Sequence, residues 1–127
     1  MIFYKPIKIC SVDEMKRIDE RAASEYGIDH LLLMEDAGTA VYNVVIGEID
    51  VVGKKICVFA GTGNNGGDAL VAARRLYSHG LSVRVFVIGE LSRSTDLMRR
   101  NFDLVKKIGV ETYVIEREDE LDKYIPL

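Results

Sequence analysis

Apolar and polar positions follow two periods along this chain, helical in the first part and alternating between strand and helix from Lys54 onward. "SVDEMKRIDERAASEYG" carries Met15, Ile18 and Ala22 on one face, and opens with Ser11 followed three residues later by Glu14. That pairing satisfies free amides at a helix start, so an amphipathic helix is predicted, ended by Gly27. Asp29 is placed to cap a second helix with an apolar stripe of Leu33, Met34, Ala37, Val41, Val44 and Val45 running to about Ile49. Its Leu/Met-rich start reads as core or dimer contact.

"KKICVFAG" is a short continuous apolar run, the pattern of a parallel strand buried on both faces. A helix follows from Asp68 to Tyr77, with Ala69, Ala72, Ala73 and Leu76 inward, then a strand in "SVRVFVIG". Ser94 or a neighbour caps a helix from about Thr95 to Ile108, a third strand lies in "ETYVIE", and "EDELDKYI" forms a short acidic helix. The near-equal strand spacing suits successive β-α-β crossovers. The prediction is one α/β domain over residues 1–127, a Rossmann-like three-layer αβα parallel sheet preceded by two helices. It stops after the third strand, where open sheets of this class usually have more, so another chain or a longer product is expected to complete it.

A net charge of -3 with both signs interspersed leaves no broad basic surface for nucleic acid. No apolar stretch approaches the length of a membrane span and the start lacks a signal-peptide core, so a cytoplasmic protein is expected. Cys10 and Cys57 form no metal-binding spacing and read as free thiols, Cys57 buried in its strand. His30 and His79, at helix ends, read as structural, and Arg74-Arg75 as a solvated face.

The chemistry concentrates in "FAGTGNNGGDALVAARRL". Where a strand turns into a helix, the first turn presents unpaired amides with a partial positive charge, and anions bind there. Gly61, Gly63, Gly66 and Gly67 would admit a phosphate to the backbone and permit positive φ, while Asn64 and Asn65 tolerate the left-handed region and add amide donors and acceptors. Asp68 either caps the helix or accepts from ligand hydroxyls. "GTGNNG" has the G-x-G-x-x-G spacing between a strand and a helix, the context that makes nucleotide binding specific.

"GTGNNGGDALVAARRL", preceded by "MKRIDERAASEYGIDHLLLMEDAGTAV", resembles the YjeF-type N-terminal domain, the NAD(P)H-hydrate epimerase family, over roughly residues 12 to 109. The resemblance implies a Rossmann-like domain that interconverts the R and S epimers of hydrated NADH and NADPH, with a companion NAD(P)H-hydrate dehydratase that regenerates the cofactor. It assigns substrate binding to Asn64, Asn65, Gly66, Gly67 and Asp68 and a potassium ion to Asn65, and it implies a homodimer. Where family members have another glycine, this chain has Ala69. The aspartate-bearing segments that complete the family's substrate and potassium sites are not in this sequence, which leaves the catalytic base unassigned and the chain holding half a site.

Three other readings compete. A non-catalytic nucleotide-binding module, or half of a split protein, needs nothing beyond the loop. An NAD-dependent dehydrogenase shares the glycine spacing and could use Glu90 on the ribose, though Gly67-Asp68 alters the turn a pyrophosphate must cross. A kinase with a G-G-D anion hole lacks other support.

Overall fold

In the computed structural model, which describes residues 8–124, the chain falls into two units, one ending at Leu33 and one beginning at Met34. In the first, helix α1 (Val12–Tyr26) starts as its spacing predicts. The Glu14 amide donates to Ser11 Oγ at 3.2 Å, and the Ser11 amide donates to Glu14 Oε2 at 2.7 Å. Gly27 closes it in the left-handed conformation, φ 71°. Met15 and Ile18 are each about half exposed. The C-terminal acidic segment forms a 3-10 helix at Glu118–Lys123; Pro126 lies outside the described residues.

Helix α2 (His30–Glu48) is capped by Asp29, whose Oδ1 accepts from the Leu32 amide at 3.0 Å. The predicted stripe divides. Met34 is buried and Val45 packs on the core, while Ala37, Val41 and Val44 face solvent. The wide stripe exceeds what one neighbouring helix can cover.

The second unit is a parallel sheet of β1 (Lys55–Ala60), β2 (Ser82–Ile88) and β3 (Glu111–Ile115), in the order β1-β2-β3. The connecting helices are α3 (Asn64–Ser78) and α4 (Asp96–Lys107). Both lie on one face, where Leu70, Ala73, Leu76, Met98, Phe102 and Val105 enclose Val83, Val85 and Val87. Thr95 caps α4, accepting from the Met98 amide at 3.3 Å. These elements bear out the Rossmann-like succession.

The burial on both faces expected of β1 fails. Cys57 is exposed, contrary to expectation, and Phe59 is 52% exposed. Both point away from the helices, and among the described elements of this unit no α-helix covers that side. Instead it carries an aromatic row, Phe59, Phe86 and Tyr113, with ring centroids 5.3 Å apart at each step and Tyr124 beyond. Phe86, in the middle, is 1% exposed. Alongside, Arg84 Nε donates to Glu111 Oε2 at 2.7 Å.

Candidate functional site: the glycine turn and the first turn of α3

The helix after the glycine loop begins at Asn64, four residues earlier than the pattern predicted, with Gly63 as N-cap at φ -87°, ψ -175°. Asn64 and Asn65 are therefore helical, and Asp68 lies in the second turn rather than capping the start. None of the four loop glycines has positive φ; that property belongs to Gly27, Gly53, Gly80, Gly89 and Gly109. The predicted left-handed turn is thus absent. The chain instead leaves β1 extended and enters the helix directly.

The four glycines divide by what surrounds them. A Cβ on Gly66 would lie 1.9 Å from the Gly61 carbonyl oxygen, and one on Gly67 would lie 2.5 Å from Met34 Cε. Their bareness is required by the protein's own packing, and both are buried. A Cβ on Gly61 or Gly63 would meet nothing within 4 Å. Neither packing nor backbone conformation explains glycine there, and the space beside the loop is open. The first helical hydrogen bond runs from the Gly67 amide to the Gly63 carbonyl at 3.2 Å, so the preceding amides have no helical acceptor. Glycine as N-cap supplies no side-chain oxygen to them. Asn64 and Asn65 project from this turn into solvent, and Asp68 is half-buried. Of the five predicted residues, the structure brings all into two helical turns but opens only the asparagines fully.

Neighbouring elements fix this turn. The Thr95 amide donates to the Thr62 carbonyl at 3.0 Å, tying the start of α4 to the loop. Gly38 lets α2 approach α3 closely: a Cβ there would fall 2.4 Å from Val71 Cβ and 2.7 Å from the Asp68 carbonyl oxygen. Next to Met34, the Glu35 carboxylate accepts from Arg74 and Arg75, each at 2.5 Å. Arg74 and Arg75 are thus half-buried ion-pair partners, not the solvated face expected. Burial alone would raise the Glu35 pKa, and hydrogen bonds from the two guanidiniums with their charge more than reverse it, leaving the carboxyl below its ordinary value. The acidic pair Glu35-Asp36 within the apolar run "LLLMEDAG" was the available signal for this clamp. His79 closes α3 with its Nδ1 2.7 Å from the Tyr42 hydroxyl.

The family model described as "YjeF-related protein N-terminus" matches residues 30–126. The "Bifunctional NAD(P)H-hydrate repair enzyme Nnr" of Thermofilum pendens is 37% identical over 88% of this chain and 21% of its own length. The "NAD(P)H-hydrate epimerase" of Lentilactobacillus buchneri is 36% identical over 68% of this chain and 40% of its own. The crystal structure of the yeast protein ynu0 superposes with a TM-score of 0.74 at 29% identity, covering 94% of this chain and 52% of that one. The chain spans about a fifth of the bifunctional relatives and less than half of the epimerases it matches.

Proposed function

Because the chain belongs to the family of YjeF-related protein N-termini, we propose that it serves the epimerisation of hydrated NADH and NADPH, supplying the half of the site that binds the nucleotide. The observation that carries this reading is the pair Gly61 and Gly63, bare without a packing or conformational reason, beside uncapped amides at the start of α3. A phosphate fits such a place because it needs backbone donors and room. In this reading Asn64 and Asn65 contact the substrate through their amide side chains, Gly66 and Gly67 set the backbone beneath it, and Asp68 orients a ligand hydroxyl. For potassium, Asn65 offers one neutral oxygen, which does not by itself complete a cation site, and no step is assigned to the ion.

The apolar exposed residues Val41 and Val44 of α2 support a homodimer, and a separate NAD(P)H-hydrate dehydratase would consume the product. No helix among the described residues is long and apolar enough to cross a membrane; the mixed charge suits a cytoplasmic setting.

The test titrates the chain with S- and R-hydrated NADPH, following backbone amides by NMR and epimer ratio by chromatography. Shifts confined to Gly61–Asp68 without epimer interconversion by this chain alone are expected. Interconversion by the chain alone would overturn the half-site reading, and shifts elsewhere would end the assignment of this turn.

A further inference from the structure

Asn101 is the one buried polar side chain among the described residues, 2% exposed on the inner face of α4. An amide in an apolar core is costly unless its donors are used. Asn101 Nδ2 donates to the Leu97 carbonyl at 3.1 Å, one turn back, and to Met34 Sδ at 3.3 Å. The second bond is informative because a thioether is a weak acceptor on a flexible side chain, which an apolar neighbour would leave free to change rotamer. That sulfur lies against the backbone of α3: a Cβ on Gly67 would fall 2.6 Å from Met34 Sδ, and 3.5 Å from Met98 Cα. Amide, sulfur and glycine backbone thus form a continuous line from α4 through α2 to the end of the first turn of α3.

We propose that Asn101 is a positioning residue for that turn, acting through Met34: its amide holds the sulfur in one rotamer, and the sulfur fixes where the Asn64 and Asn65 amides point. The proposal rests on the reading of this turn as the nucleotide site. A leucine at position 101 would fill similar space, so the amide contributes direction rather than volume. The line also explains why Gly67 must lack a side chain although its φ is ordinary.

The experiment is a double-mutant cycle on the full chain with Asn101→Leu, Met34→Leu and both, read in two ways. Without ligand, hydrogen exchange of the Gly67 amide is compared with exchange in β2; with ligand, affinity for hydrated NADPH is measured. Each single variant is expected to speed Gly67 exchange roughly fivefold relative to β2 and weaken binding by a similar factor, the size one hydrogen bond carries. In the Met34→Leu background, Asn101→Leu should add less than about twofold. Additive effects, or acceleration spread equally through the core, would overturn the proposal. Should Asn101→Leu not fold, Met34→Leu alone must still reproduce the selective Gly67 change, and an unchanged rate would overturn it. A wild-type chain that binds no hydrated NADPH would remove the site reading, while the exchange cycle still decides the positioning role.

Discussion

Gly61 and Gly66 have the same side chain for opposite reasons. At Gly66 the missing methyl is occupied by the Gly61 carbonyl, so Gly66→Ala must move backbone and is expected to cost about 3 kcal/mol or more. At Gly61 the space is empty and φ is not positive, so Gly61→Ala should alter stability by less than about 0.5 kcal/mol. If the open space receives a phosphate, the same change should weaken binding of hydrated NADPH about tenfold or more, because the methyl occupies the ligand's place. Urea titration and calorimetric binding on the two variants check the contrast; a Gly61→Ala chain that binds normally would contradict the proposed site. The spacing of these glycines was legible in the sequence, but the division of labour among them was not. Only the path of the neighbouring backbone distinguishes a glycine kept for the protein from one kept for a guest.

At the scale of elements, the grip of α2 on α3 decides where the site sits. Glu35 contributes to it through an ion pair whose side chains are between 25% and 34% exposed, so its worth is that of a partly screened pair, about 1–2 kcal/mol. Its carboxyl pKa in the folded chain lies below the ordinary 4.5, so the pair's contribution is complete above that value and disappears as pH falls through the lower folded one. Urea midpoints of wild type and Glu35→Gln should therefore differ at pH 7 and converge as pH falls below 4.5 and through the lower folded value. A difference that persists once the carboxyl is protonated would show that the glutamine acts otherwise than by losing the pair. The caps at Ser11 and Asp29 were legible because they depend on residues three apart, within reach of local pattern, while that of α4 was placed only at Ser94 or a neighbour and is Thr95. Asn101 was not, since one polar residue in an amphipathic helix carries no sign of facing inward. The start of α3 was read late because Gly-Gly and Asn-Asn are poor helix formers; here packing under Met34 and against Gly61 outweighs their propensity.

For the molecule as a whole, the succession of elements was readable from alternating periods, whereas coverage of the sheet was not, because a single strand's apolarity does not say how many layers exist to enclose it. The thiols report this directly. Both Cys10 and Cys57 are exposed, so two equivalents should react with a thiol-specific disulfide reagent without denaturant; one slow equivalent would mean that the outer side of β1 is covered in solution. In the ladder itself, Lys55 faces Ser82 and Arg84 faces Glu111, the same sequence offset in both pairings. Equal offsets give the two crossovers nearly equal loop-closure entropy, so chain length favours neither as the folding nucleus. The balance then falls to packing, and the β1-α3-β2 crossover, whose helix packs on both of its strands while α4 meets β3 only sparsely, gains more early contact. The segment that would receive the nucleotide is thus the one expected to assemble first during refolding.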